Sequence, residues 1–197
     1  MTLRRARWLI LVVVAIIACT ARSAGAQTVA NGPYYATPSW DQKMDSSVRF
    51  IVLANWNSEA VLDRETGIVW QRTPSGGNLS WYLTSRSTCT FAKTGGRMGW
   101  RLPTVPELMS IMDTTLFGSP VNSAPPLVSG HPFLGITNNA FFWTSTTDDE
   151  QPGSAFQVSW HVPGTTPPNL VYVVSPVAKT GGAAAWCVRG APQPAAQ

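Results

Sequence analysis

Past residue 26 the chain holds only two cysteines, Cys89 and Cys187, standing 98 residues apart. A cross-link between them would close nearly the whole folded domain. For a loop of about 100 residues that removes roughly 4–5 kcal/mol of unfolded-chain entropy, before native strain and residual unfolded structure reduce it. Whether two such thiols pair depends on where they fold, because cytosolic thiols stay reduced and exported ones are oxidised.

The beginning of the chain reads as an export signal. Arg4, Arg5 and Arg7 form a positive start, and Trp8 to Ala18 is apolar without interruption. That run is shorter than the ~20 residues a membrane-crossing helix needs. Ala24-Gly25-Ala26 then places small residues where a signal peptidase accepts them, so residues 1–26 are expected to be a signal peptide cleaved after Ala26. The alternative is a lipoprotein: Ile16-Ile17-Ala18-Cys19 resembles a lipobox, with Ile where Leu is more usual, and Cys19 would carry the lipid. Only in that case would a membrane be a partner. Export to the periplasm, cell surface or medium, with an even pair of thiols in a small domain, favours a disulfide over a metal or catalytic site.

Charge follows the same division. The whole chain of 197 residues carries a formal +4, but Arg4, Arg5, Arg7 and Arg22 supply all of that excess. Beyond residue 26 the ten acids are balanced by ten Lys and Arg, which argues against a nucleic-acid partner. Hydrophobic residues at 44% and nine tryptophans exclude a disordered chain, and the length suits one domain.

Residues 27–48 read as an irregular segment with Gly32, Pro33 and Pro38. Arg49–Leu53, Ala60–Asp63 and Gly67–Gln71 have strand character, the last two joined as a hairpin with Gly67 in the turn. Trp81, Ser85, Thr88, Cys89 and Ala92 recur at helical spacing, with Asn78 or Ser80 as cap and Gly95-Gly96 as the stop. Thr104-Val105-Pro106-Glu107 is a capping box, followed by an apolar face of Leu108, Ile111, Met112 and Thr115. Residues 116–140 form a long loop rich in proline and glycine. Strands are then expected at Phe141–Ser145, Ala155–Trp160, Leu170–Val174 and Ala185–Arg189. In the second of these, Phe156, Val158 and Trp160 alternate with Gln157 and Ser159, the pattern of one buried sheet face. Two helices flanked by strand runs give an α+β domain whose antiparallel sheet joins both chain ends.

Several motifs in order resemble the Lcl C-terminal domain family. They are Val61-Leu62-Asp63 with Thr66-Gly67-Ile68-Val69-Trp70, then Trp81 and Cys89, then Trp100-Arg101-Leu102-Pro103-Thr104 with Glu107, Gly130-His131-Pro132-Phe133, Phe142-Trp143-Thr144-Ser145-Thr146, and Trp186-Cys187-Val188-Arg189-Gly190. The resemblance covers residues 49–190, leaving 191–197 as a tail. It implies a C-type lectin-like fold with two helices, antiparallel sheets and a long loop region, and a disulfide from first helix to last strand fits that fold. It also implies a bacterial surface protein, as in the collagen-like adhesins whose trimeric glycan-binding head is this domain. The present chain has no collagen Gly-X-Y repeat, so trimerisation is not implied and the oligomeric state stays open. Most motif tryptophans are expected in the core. Arg101 and Arg189 are expected to be paired, with Glu107 or Asp63 as candidates, in a structural rather than catalytic network.

The Arg-Leu-Pro-Thr stretch with Glu107 also resembles part of formylglycine-generating enzymes, which bind copper through a close cysteine pair; an oxidoreductase of that kind is the remote alternative. Here both cysteines sit where the structural bridge belongs. His131 and His161 lie in no triad pattern, no Gly-x-Ser-x-Gly elbow occurs, and zinc-ligand spacings are missing. No enzyme activity and no cofactor are therefore expected. Asp148-Asp149-Glu150, before Gln151-Pro152, is the one acidic cluster and the weak candidate for a calcium ion, but the partner Trp-Asn-Asp motif of calcium-dependent lectins is missing and a solvated turn is favoured. The expected function is recognition of a glycan or an envelope protein through the loops at 116–140, 146–153 and 161–168, with Trp160 and His161 as contact residues. A structural envelope component docked on another secreted chain is the alternative.

Overall fold

The hairpin around Gly67 forms as the turn chemistry demands. β2 (Ala60–Asp63) and β3 (Val69–Gln71) run antiparallel with Ala60 opposite Gln71 and Leu62 opposite Val69, and Gly67 sits at φ 71°, a region favouring glycine. The computed structural model describes residues 44–116, 126–137, 140–161 and 171–190, with the backbone alone at 161, 171 and 172. The expected signal peptide with its alternative lipid site at Cys19, the rest of the segment up to residue 43, and residues 191–197 lie outside these.

The expected strand from Arg49 starts one residue later. Asp45 caps a single helical turn, α1 (Ser46–Arg49), by accepting the Ser47 N–H at 2.8 Å, and β1 (Phe50–Val52) follows. Arg49 belongs to the turn because its guanidinium is needed inside. It donates to both Asp63 carboxylate oxygens (2.9 and 2.7 Å) and to the Ser110 carbonyl (2.9 Å), and lies 3.1 Å from Glu65. Arg49, Asp63 and Glu65 are all buried. This ionic knot ties α1 and the hairpin turn to the end of α3 (Val105–Met109).

The helix through Cys89 begins as α2 (Trp81–Leu83) and continues as a π-helical turn, Thr84–Cys89. Ser80 is its N-cap residue without a side-chain cap bond, and Asn78 lies in a strand. The turn ends at Cys89, short of Gly95-Gly96, because the threonines bond back to the chain: Thr84 Oγ1 donates to the Ser80 carbonyl and Thr90 Oγ1 to that of Ser85, both at 2.8 Å. α3 has both capping-box bonds, the Glu107 N–H to Thr104 Oγ1 and the Thr104 N–H to Glu107 Oε2. It ends at Met109, so Ile111 and Met112 lie beyond it, buried in the core, and Thr115 is exposed.

Among the described residues nine strands make two sheets, a four-stranded one ordered β1-β2-β3-β9 and a five-stranded one ordered β4-β8-β5-β6-β7. The new elements are β4 (Ser75–Leu79), β5 (Ala140–Thr147), β6 (Ser154–His161), β7 (Val171–Ala178), β8 (Ala183–Ala185) and β9 (Val188–Arg189). The architecture is α+β. All pairs are antiparallel except β5 with β8, which meet in one parallel bridge, Phe142 with Ala184, so the larger sheet is mixed rather than wholly antiparallel. The single strand expected at Ala185–Arg189 is two, one in each sheet, because Trp186 and Cys187 carry the chain across. Gln71 holds that crossing: its carbonyl accepts the Trp186 indole N–H (2.8 Å), its N–H donates to the Cys187 carbonyl (3.0 Å), and its side-chain oxygen accepts the Cys187 N–H (3.2 Å). The Cys89–Cys187 disulfide fastens the crossing to the end of the π-helical turn.

Two apolar clusters lie against the larger sheet. Phe142, Val158, Trp160 and Trp186 join Trp70 and Phe133 in one, and Trp143, Ala155, Ala183 and Ala185 join the disulfide, Trp100 and Leu102 in the other. Residues of β5 and β6 thus face both clusters, so Gln157 and Ser159 are buried too and β6 has no solvent face of the kind its alternation suggests. β7 is an edge strand carrying Pro176, which cannot donate to a further strand.

Candidate functional site

β4 is a poor strand by composition, Ser-Gly-Gly-Asn-Leu, and it pairs poorly. It meets β8 at Ser75–Ala185 and at Leu79–Ala183, with the register shifting between them. Gly77 bends at φ 133°, where a side chain is strained. The result is a cleft of about 300 Å³ between β4, the start of β5, the short β8 and the loop at Gly135–Thr137.

Glycine makes room for it. A Cβ on Gly76 would meet open space, and one on Gly182 would overlap the Asn78 side chain, which lies over that residue. One wall is Phe141, a residue 47% exposed although its neighbour Phe142 is buried. Ser75, Asn78 and Thr137 contribute hydroxyl and amide groups, and no ionisable side chain is among the described residues that line the cleft.

Core tryptophans brace the rim. The Trp143 indole N–H donates to the Leu79 carbonyl at the end of β4 (2.8 Å) and that of Trp160 to the Thr137 carbonyl (2.7 Å), while the partly buried Trp81 donates to the Thr144 carbonyl on β5 (2.7 Å), away from the cleft lining. A buried indole N–H finds a partner, and in the low-dielectric interior that bond is stronger than in water. Trp160 therefore takes a different part from the contact role expected of it: it is fully buried, packed on Phe142 at 5.3 Å between ring centres, and offers no face to a ligand.

The other nominated residues are dispersed. His161 ends β6 opposite Val171, its side chain outside the described part, as are residues 117–125, 138–139 and 162–170 of the expected contact loops. Asp148 accepts the Glu150 N–H (3.0 Å) in the β5–β6 turn, where Asp149 and Glu150 are exposed. No group of three His, Cys, Asp or Glu able to hold a metal occurs among the described residues. Arg101 grips Glu107 with two nitrogens (2.7 and 2.6 Å), joining the Trp100–Thr104 stretch to α3. Asp63 is taken by Arg49, and Arg189 donates to the Met98 carbonyl (2.9 Å) with no carboxylate on it among the described residues, so the expectation that Arg189 meets an acid is corrected. The expectations from sequence passed over Ser75, Gly76, Gly77, Asn78 and Phe141. The Gly-Gly pair after Pro74 was the signal available, since adjacent glycines in a strand mark a bulge or a close approach.

His131 is half-buried and stacked on Phe133 at 5.8 Å, with Nδ1 enclosed and given no hydrogen-bond partner. Burial holds its pKa below the ordinary 6.5. The unfolded chain therefore binds the extra proton first, and stability from this residue is complete above 6.5 and drains away as the pH falls below it. Melting curves should drop on acidification through that range, with the slope reduced in His131→Asn. An unchanged slope would mean that the imidazole titrates as freely as in the unfolded chain.

No helix among the described residues is long and apolar enough to cross a membrane. The family model described as the Lcl C-terminal domain matches residues 59–189. No curated protein and no solved structure matches the chain.

Proposed function

Because this chain belongs to the Lcl C-terminal domain family, we propose that it is an exported, non-catalytic recognition module of C-type lectin-like fold that binds a glycan in the β4–β5 cleft. The observation that carries the reading is the exposed Phe141 ring beside the hydroxyl and amide groups of Ser75, Asn78 and Thr137, in a cleft whose described lining has no ionisable side chain. A pyranose presents an apolar C–H face for an aromatic ring and hydroxyls that both donate and accept, and an amide answers both. With no ionisable acid or base among the described lining residues to activate the Ser75 or Thr137 hydroxyl, the lining supports a site that binds and releases its ligand unchanged. The first and last strands, β1 and β9, share one sheet, which supports the lectin-like assignment. The disulfide and the signal-like residues 1–26 support export to an oxidising compartment.

The test is a glycan array probed with the oxidised protein lacking residues 1–26. A bound neutral or weakly charged glycan should lose about tenfold in affinity in Phe141→Ala, the worth of one ring stack. Replacing Gly76 with a bulky residue such as Leu, where a side chain enters open space, should block the cleft while leaving the melting temperature near that of the parent. A blank array, or binding indifferent to both changes, overturns the proposal.

A further inference from the structure

Away from the cleft, Trp56 stands half-buried at the surface with two guanidinium groups over its ring, Arg97 at 5.4 Å and Arg189 at 5.5 Å from the ring centre. The ring is held from several sides. Asn57 and Ser58 both adopt left-handed backbone (φ 54° and 57°), a costly pair for residues with side chains, and turn the chain sharply just after it. Trp100 meets its edge at 6.4 Å. The turn at Gly95 presses so close that a Cβ there would lie 2.6 Å from the Trp56 Cβ. Arg189 is steadied through Nε by the Met98 carbonyl, while the Met98 side chain is 64% exposed.

Two cations gathered on one ring repel each other, and neither meets a carboxylate among the described residues. Glu59, the acid of this region, is turned onto the Gly95 N–H at 2.6 Å. Beyond residue 26 the chain is neutral overall, so this patch is a local concentration of positive charge rather than a share of a general excess. It offers donors and apolar surface but few acceptors, which suits a ligand of carboxylates and apolar groups better than the hydroxyls of a neutral sugar. Trp, Arg and exposed Met are also the side chains enriched at the centres of protein interfaces.

We propose that Trp56, Arg97, Met98 and Arg189 form a docking site for an acidic, partly apolar segment of another protein. Its carboxylates bridge the two guanidinium groups while its apolar side chains cover Met98 and the Trp56 ring. The site is separate from the cleft and does not depend on glycan binding there.

The experiment measures fluorescence anisotropy of a labelled decapeptide of alternating glutamate and leucine against the oxidised protein. Its lysine–leucine and glutamine–leucine counterparts and chondroitin sulfate serve as competing probes. The acidic peptide should bind, weaken as salt is raised, and lose at least about tenfold in Arg97→Gln/Arg189→Gln, as for two interface arginines. Arg97→Gln alone, at an exposed position, should lose a smaller part with the melting temperature unchanged. Phe141→Ala should leave peptide binding intact, which separates this site from the cleft. No binding of the acidic peptide, equal binding by the arginine variants, equal binding of the lysine peptide, or preference for chondroitin sulfate would each overturn the proposal.

Discussion

Replacing both Cys89 and Cys187 with serine lowers the unfolding free energy by about 4–5 kcal/mol, the entropy a loop of this length regains when opened. That is a large share of the ~5–15 kcal/mol available to an ordinary domain. The position of the bond makes a smaller effect unexpected. Cys187 lies where the chain crosses from one sheet to the other, and Cys89 ends a π-helical turn built of Thr, Ser and Arg, with little helix propensity of its own. Without the bond, that turn keeps few anchors beyond its own backbone and Thr84. Urea unfolding of the oxidised protein against the double serine variant measures the difference. A loss below about 1 kcal/mol would show that the reduced, unfolded chain is already compact enough to do without the loop.

The second large effect concerns Asp63. Truncation to Ala leaves the buried Arg49 guanidinium without its principal partner and leaves the Glu65 N–H and the Thr66 hydroxyl without the carboxylate they bond. Breaking a buried ion pair by removing one member costs about 3–5 kcal/mol. Glu65, 3.1 Å from Arg49, remains to share the charge and sets the value at the lower end. Asp63→Asn keeps the shape and an acceptor oxygen, so it should lose distinctly less. Equal losses in the two variants, read by chemical denaturation, would mean that packing rather than charge decides the site.

Local chemistry was legible in the amino-acid order wherever neighbours in the chain settle it. Thr104 and Glu107 specify both bonds of a capping box, Gly67 supplies a turn, and the β-branched and aromatic runs from Ala140 to Ala178 become strands. What escaped depends on partners far along the chain. Ser75–Leu79 has a composition that strands avoid and becomes one only because β8 lies alongside. The alternation at Phe156–Trp160 describes a half-buried strand, but packing on both sides buries Gln157 and Ser159 as well. For Trp160 the sequence supports two readings, the buried face of the Phe156–Trp160 alternation and a contact residue beside a loop, and only the first agrees with its burial. Its position in β6 turns it into the core, where it fixes Thr137 from within. The cleft was hidden for the same reason: no single stretch of chain contains it.

The arrangement of β8 and β9 has a bearing on how the molecule acquires its shape. One sheet waits for Ala183–Ala185 to join β4 to β5, and the other waits for Val188–Arg189 beside β3, so neither can be completed from the earlier strands alone. Contacts of such long sequence separation slow the search for the native state. Assembly is therefore expected to be late and concerted, with the closing stretch locking both layers in a single event.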